Sequence, residues 1–547
     1  MLQGLMMNTP LLITALMNFA KRHHAAREIV SVTADNPRHR YTYAEAFGRA
    51  ARVAHALQDL GMVTADRVGT LAWNDHRHFE LYYGISCSGG VCHTINPRLF
   101  ENQIEYIIRH AEDRFIFTAP EFVPLLESLQ DKLKSVETFV VLTDATNMPA
   151  TQLRNAISYE ELIADKSAEF DWPELDEQAA SSLCYTSGTT GEPKGALFSH
   201  RATVLHAYAI ALPDVMNLSQ QDCVLPAVPM FHVNAWGSPY AVPMTGAKLV
   251  LPGALVGDGA ALHELMESEG VNYSLGVPTV WLDLLDYLQQ SGNKAHSLER
   301  ICVGGAACPA AIIERFRDEH DVYVHHAWGM TEMSPVGVYN TLKAGAEKLP
   351  QQDLLSLQLR QGRGLFGVEM KVVADDGTEL PWDGVAFGAL KVRGAWVISS
   401  YYKSDETVLD ADGWFDTGDV ATIDAEGFMQ ITDRSKDMIK SGGEWISSIE
   451  LENTAVNHPG VAEAAVIGVA HPKWGERPLL IVVQAATESL SKAAMLSWFD
   501  DKVARWWVPD AVEFVAELPH TATGKLKKSV LRETYANYDW PEKGTSS

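Results

Sequence analysis

The chain has 547 residues, 46% hydrophobic and 21% charged, with 70 acidic against 44 basic side chains. That length exceeds what one hydrophobic core serves, so at least two domains are expected, and the composition excludes a disordered or collagen-like chain. A formal net charge of −26 excludes a protein built to coat nucleic acid or anionic lipid and leaves small molecules as the expected partners.

The first twenty residues, MLQGLMMNTPLLITALMNFA, are apolar but carry no basic leader and are broken by Asn8, Thr9 and Pro10, against a signal peptide. Thr9 reads as a helix N-cap with Pro10 at the first helical position. No stretch approaches ~20 uninterrupted apolar residues, so no transmembrane segment is expected. Short β-rich runs then alternate with helical patterns, as in RVGTLAWN before HFELYYGISCSGG and GAKLVLPG before ALHELMESEG, which is α/β organisation. From Gly388 the pattern turns strand-rich, through GALKVRGAWVIS and GFMQITD. Beyond it, VAEAAVIGVA, LLIVVQA, a helical KAAMLSWFDDKVARWW and AVEFVAELP make a second, small α/β domain. The boundary is expected near Asp433 to Lys436, giving a large N-terminal domain, 1–433, and a small C-terminal one, 434–547. Six cysteines at 87, 92, 184, 223, 302 and 308 form no CxxC pair, which points to neither a disulfide framework nor zinc and fits a reducing, cytoplasmic setting.

The run YTSGTTGEPKG, Tyr185 to Gly195, follows a plausible strand, SSLCY, and precedes a plausible helix, HRATVLHAYAIAL. Glycines 188, 191 and 195 let the backbone approach an anion, the hydroxyls of Thr186, Ser187, Thr189 and Thr190 add donors, and Lys194 adds charge. No GxxxxGK[ST] pattern fits, which disfavours a P-loop kinase or ATPase. Composition alone allows a plain surface loop just as well.

That run, with HAWGMTE (326–332), WFDTGDVATIDAEGF (414–428), TDRSKDMIKSGGEWISSIELE (432–452) and TATGKLKK (521–528), resembles the adenylate-forming superfamily, collinear from about residue 40 to 530. GVCHTINPRL, PMFHVNAWG, GVPTVW and GGAACP are most similar to its fatty acyl-CoA synthetase branch, which includes medium- and long-chain ligases and the methylmercaptopropionate-CoA ligases. The resemblance implies a large multi-subdomain α/β domain with a small mobile α/β domain, and two half-reactions. A carboxylate attacks the α-phosphorus of ATP, with Mg²⁺, to give acyl-AMP and pyrophosphate; the thiol of CoA then displaces AMP.

Residue by residue, it implies that Thr186, Ser187, Gly188, Thr189, Thr190, Gly191 and Lys194 hold the β- and γ-phosphates. Trp328 offers a face for adenine, Gly329, Met330 and Thr331 line the α-phosphate, and Glu332 with Thr186 faces Mg²⁺. Gly304, Gly305 and Ala306 admit nucleotide and acyl chain close to the backbone, and Asp419 takes the ribose hydroxyls, helped by Arg434. Lys525 bridges carboxylate and α-phosphate; with Thr331, Glu332 and His232 it forms the expected catalytic set. Lys527 and Lys528 read as solvated, and His325 and His326 as core residues, since no third ligand supports a metal.

Lys440, Gly442, Gly443, Glu444, Trp445 and Glu476 face CoA in the resemblance. Lys525 and this segment belong to one small domain and cannot occupy one site together, so domain alternation about a hinge at Lys436 is implied. His232, Trp236, Val277, Gly304, Ala306 and Pro335 line the acyl pocket, none of them charged, which favours an apolar acid over an amino acid. A homodimer is expected, as in many relatives. Alternatives are a 3-methylmercaptopropionate or other short or aryl acid ligase, an enzyme loading a carrier protein, and a regulatory protein that has lost catalysis; retention of Thr331, Glu332, Asp419, Arg434 and Lys525 together speaks against the last.

Overall fold

The computed structural model describes the chain except residues 187–191, 435, 442–443, 486–489, 521–525 and 541–547 and the side chain of Glu444. It is a mixed α/β protein whose residues gather into two compact units: Met1–Glu369 with Arg393–Phe415, and Met370–Val392 with Asp416–Ser547. This division is not the one at 433/434 read from the sequence. Asp433 explains part of the difference, because its carboxylate accepts from Ser448 N at 2.5 Å and Ser448 Oγ at 3.0 Å, binding the end of the Met429–Arg434 strand to the helix Ser448–Val456.

In the first unit, a seven-stranded sheet runs Ile157–Ser158, Thr138–Val141, Phe115–Thr118, Arg67–Leu71, Val91–Thr94, Ala180–Tyr185, Gly195–Ser199, parallel except for the last pair. A nine-stranded sheet is parallel through Glu28–Ser31, Lys248–Leu251, Cys223–Pro226, Tyr273–Gly276, Arg300–Val303 and Tyr323–Gly329, with antiparallel strands at both edges. The strands read as continuous apolar runs because helices cover them. Phe47 of the helix Tyr43–Asp59 stacks on Tyr43 and meets Phe79, tilted, and Tyr83, edge-on, of the helix His76–Cys87, all fully buried.

Three sequence readings change. The first helix begins at Ile13, not beside Thr9 and Pro10. Its start is set by the buried stripe Ile13, Leu16, Met17 and Ala20, and amides at and just before it find tertiary partners, Leu11 N donating to Glu177 and Ile13 N to His200 Nδ1. The helix expected over KAAMLSWFDDKVARWW is confined to Lys492–Ser497, and the chain turns through Asp501 at φ 62°. Lys528 is not solvated: it is 8% exposed, and its ammonium donates to Ser448 Oγ at 2.6 Å and pairs with Glu452 at 2.7 Å. Burial pushes the Glu452 and Asp433 carboxyls up, and Lys528 pulls both back. Lys528→Ala strands two buried acids, so it is expected to lower stability by about 3 kcal/mol, read as an earlier urea midpoint. An unchanged midpoint contradicts the buried network.

Candidate active site

In the nine-stranded sheet, four neighbouring parallel strands release their loops at carboxyl ends, where ligands settle in open α/β sheets. Cys223–Pro226 leads to His232 and Trp236, Tyr273–Gly276 to Val277, Arg300–Val303 to Gly304–Ala306, and Tyr323–Gly329 to Met330–Pro335. Sheet topology therefore gathers most of the sequence-predicted nucleotide and acyl residues of the first unit on one side.

One glycine there has no substitute, and a second leaves room only if a neighbouring ring shifts. A Cβ on Gly329 would lie 2.1 Å from the Pro335 carbonyl oxygen, and one on Gly304 would lie 2.8 Å from the Trp236 ring. Gly304 is thus the seat of Trp236, and a Cβ on Gly305 would reach Val277 at 3.2 Å. Trp236 itself is 8% exposed, while His232 is half-buried. It belongs to a left-handed turn in which Val233, Asn234, Ala235, Trp236 and Gly237 have φ of 42°, 52°, 45°, 56° and 81°. That backbone costs an L-residue about 1–2 kcal/mol, and a β-branched Val is among the worst suited to it. Neighbouring structure must hold it.

Thr331 and Glu332 form a short 3₁₀ turn and are both buried. One Glu332 carboxylate oxygen accepts from the Tyr401 hydroxyl at 2.7 Å, and the Glu332 carbonyl accepts from Ile398 N at 2.9 Å. Lys194 Nζ sits 4.9 Å from the centroid of the same Tyr401 ring, and Tyr402 N donates to Gly195 O at 2.8 Å. Lys194, Tyr401 and Glu332 are therefore one connected group. Burial, then the Glu332 charge, pushes the Tyr401 phenol up, so it stays a donor. Sequence reasoning missed Tyr401, although a tyrosine pair closing a strand-rich stretch was a usable signal. His206 was also missed: burial holds it down to about 3, and as a neutral ring its Nε2 accepts from Val336 N at 3.1 Å, fixing the segment after Pro335. His325 and His326 are core groups, as read, both pushed down to about 4 by burial.

The Thr186–Lys194 loop closes a hairpin rather than opening a helix. Tyr185 pairs with Gly195, Thr186 N donates to Lys194 O at 2.9 Å, and Gly195–Ser199 intervenes before the helix His200–Ala211. The strand and the helix read from the sequence are both present, at Ala180–Tyr185 and His200–Ala211, and GALFS adds an unread strand between the loop and the helix. Ser187, Gly188, Thr189, Thr190 and Gly191 lie outside the described residues. Glu332 is a lone carboxylate, and among the described residues no cluster of three or more His, Cys, Asp or Glu could hold a metal. This donor set suits Mg²⁺ carried mainly by phosphates and waters, not a dedicated protein cage.

In the second unit, Asp419 and Arg434 face each other across a hairpin, with Arg434 Nε 3.0 Å from Asp419 Oδ1. Asp419 lies in a strand and is 4% exposed, so it is not merely a turn aspartate. Lys440 pairs with Trp445, its ammonium 4.0 Å from the ring centroid, and Lys440 N donates to Glu476 Oε2 at 3.0 Å. These three come together as expected; Gly442, Gly443, the Glu444 side chain and Lys525 lie outside the described residues. Lys436 is exposed in a turn where Asp437 N donates to Arg434 O at 2.8 Å, and Asp437 pairs with Arg532 at 2.6 Å.

Residues 17–402 match the model of the AMP-binding enzyme family, and residues 450–525 that of the AMP-binding enzyme C-terminal domain. A 3-methylmercaptopropionyl-CoA ligase of Ruegeria lacuscaerulensis is 52% identical over 97% of this chain and 98% of its own. A medium-chain-fatty-acid–CoA ligase of Ectopseudomonas oleovorans is 51% identical over 98% of each. ATP-bound MatB from Rhodopseudomonas palustris superposes with a TM-score of 0.82 at 25% identity, covering 97% of this chain and 99% of that one. With matches across both units and relatives this close over their full length, the chain belongs to the AMP-binding enzyme family, among its acid–thiol ligases.

Proposed function

We propose that this ligase activates an unbranched, apolar carboxylic acid of medium length, or a thioether acid of similar shape such as 3-methylmercaptopropionate. What supports this is the Trp236 ring packed against Gly304 with Val277 beside Gly305, and the lack of any acidic or Lys/Arg side chain among His232, Trp236, Val277, Gly304, Ala306 and Pro335, the residues this reading assigns to the acyl wall. An ammonium-bearing acid finds no carboxylate partner in that set, and an unpaired buried charge is costly. The two relatives act on a thioether acid and a medium-chain fatty acid, which agrees with such a wall.

Adenylation joins a carboxylate oxygen to the α-phosphorus and releases pyrophosphate; thioester formation joins the CoA sulfur to the acyl carbon and releases AMP. In this reading Lys194 and the loop hydroxyls hold the phosphates, Thr331 the α-phosphate, Trp328 the adenine, and Asp419 with Arg434 the ribose. Glu332, oriented by Tyr401, holds Mg²⁺, which neutralises phosphate charge when bound. Lys525 serves the first half-reaction. Lys440, Glu444, Trp445 and Glu476 serve the second, with Gly442 and Gly443 admitting pantetheine, and Lys436 is the pivot that exchanges them. No helix among the described residues is long and apolar enough to cross a membrane. A cytoplasmic homodimer completes the proposal; elution at the mass of one 60.2 kDa chain contradicts the dimer.

Trp236→Ala tests the pocket. Short acids are expected to lose packing and rise in KM while longer chains are helped or unaffected. A tryptophan serving only the core would instead cost about 3–5 kcal/mol of stability and slow every acid equally. A chain-length profile parallel to wild type, on folded protein, removes Trp236 from the wall.

A further inference from the structure

Five consecutive residues, Val233 to Gly237, hold left-handed backbone, and only Asn234 and Gly237 among them are suited to it. Such a turn persists where its surroundings over-determine it. Asn234 is 3% exposed and supplies that restraint. Its Nδ2 donates to Ser182 Oγ at 3.1 Å, while its Oδ1 lies 3.2 Å from the Tyr82 hydroxyl and accepts from Cys184 Sγ at 3.5 Å. Ser182 and Cys184 are on the Ala180–Tyr185 strand, so the amide ties the turn to that strand, while Tyr82 of the helix His76–Cys87 gives its hydroxyl proton chiefly to the Met230 carbonyl and shares it with Asn234 Oδ1. The approach is fixed as well: Asn74 Nδ2 donates to the Pro226 and Val228 carbonyls at 3.0 and 2.8 Å, and Asn74 Oδ1 accepts from Met230 N at 2.6 Å.

We propose that Asn234 is a positioning residue for acyl-chain selection: by pinning the left-handed turn through Ser182, Tyr82 and Cys184 it sets Trp236 against Gly304 and so fixes which chain lengths the pocket takes. The inference rests on Trp236 lining the acyl pocket. Asn234 touches no reacting group in this account; it acts through Trp236 alone. Its amide suits the task on two grounds, because Asn tolerates αL backbone and offers both a donor and an acceptor to the network. Loss of the amide lets the turn relax toward ordinary backbone, which withdraws the ring from Gly304.

The test compares kcat/KM for butyrate, hexanoate, octanoate and decanoate in wild type, Asn234→Leu, Ser182→Ala and Trp236→Ala, each shown to be folded, with the KM for ATP measured in parallel. Asn234→Leu keeps a similar volume without the hydrogen bonds. It is expected to shift the ratio of decanoate to butyrate kcat/KM about tenfold in the direction Trp236→Ala shifts it, the size a misfit of one methylene typically produces, with the ATP KM unchanged. Ser182→Ala removes one anchor from the far side and is expected to shift the ratio by about threefold in the same direction. Should Asn234→Leu fail to fold, Ser182→Ala alone decides. A profile parallel to wild type in the anchor variants, while Trp236→Ala changes it, overturns the positioning role and leaves the pocket reading intact. A parallel profile in Trp236→Ala itself overturns the pocket reading, and this inference with it. Equal loss on every acid in the anchor variants assigns Asn234 to stability alone and also overturns the proposal.

Discussion

Replacing Lys525 by alanine is expected to slow acyl-AMP formation by about a hundredfold or more, the usual cost of removing a group that stabilises charge developing in a transition state. The reasoning is electrostatic. When a carboxylate attacks the α-phosphorus, negative charge gathers on oxygens already crowded with it, and an ammonium between the carboxylate and the phosphate relieves both. CoA attack on acyl-AMP is a different reaction, assigned to the segment around Lys440, Trp445 and Glu476. Thioester formation from supplied acyl-AMP and CoA should therefore survive in Lys525→Ala. Pyrophosphate exchange reads the first half-reaction and CoA consumption with supplied adenylate reads the second. Equal loss in both contradicts a role confined to adenylation.

Lys436→Pro is expected to trap one domain arrangement and so to separate the same half-reactions. A pivot must change φ and ψ, and proline fixes φ near −65° while restricting the residue before it. The side chain matters less than the backbone here, since Lys436 is exposed. With the chain held in the adenylating arrangement, pyrophosphate exchange continues and thioester formation collapses, by an expected hundredfold or more in overall turnover. Lys436→Ala, which keeps a free backbone, should stay within a few-fold of wild type. Unchanged turnover in the proline variant removes Lys436 from the hinge.

Much of the architecture was legible because it is written in local pattern. The β-rich run GAKLVLPG read as a strand before a helix, and Lys248–Leu251 is a parallel strand of the nine-stranded sheet. HAWG was singled out on resemblance, and its glycine proves to be one that no side chain could replace, given the Pro335 carbonyl beside it. Asp419 and Arg434 were paired on resemblance, and they meet across one hairpin. What stayed hidden depends on tertiary partners. Nothing around Lys528 in KLKK announces Glu452 and Ser448, which come from elsewhere in the sequence. Tyr401 gains meaning only beside Glu332, 69 residues away, and His206 only beside Val336, 130 residues away. The left-handed turn is the extreme case, since Val, Ala and Trp all prefer other backbone and only the buried network around Asn234 shows why they give way.

The strand between the Thr186–Lys194 loop and the helix His200–Ala211 is a different kind of gap in the sequence reading. GALFS is short, and with one glycine and one alanine it carries little strand signal alone. Its pairing with Ala180–Tyr185 supplies the missing term and turns a strand–loop–helix reading into a hairpin.

The most direct test of the account is a product assay across carboxylic acids, from propionate and 3-methylmercaptopropionate through hexanoate and octanoate to palmitate, cinnamate and an amino acid, with ATP and CoA. The prediction is AMP and acyl-CoA in equal amounts, requiring both the acid and CoA, with unbranched apolar acids fastest and the amino acid inert. Release of ADP in place of AMP, or a clear preference for the amino acid, would contradict it.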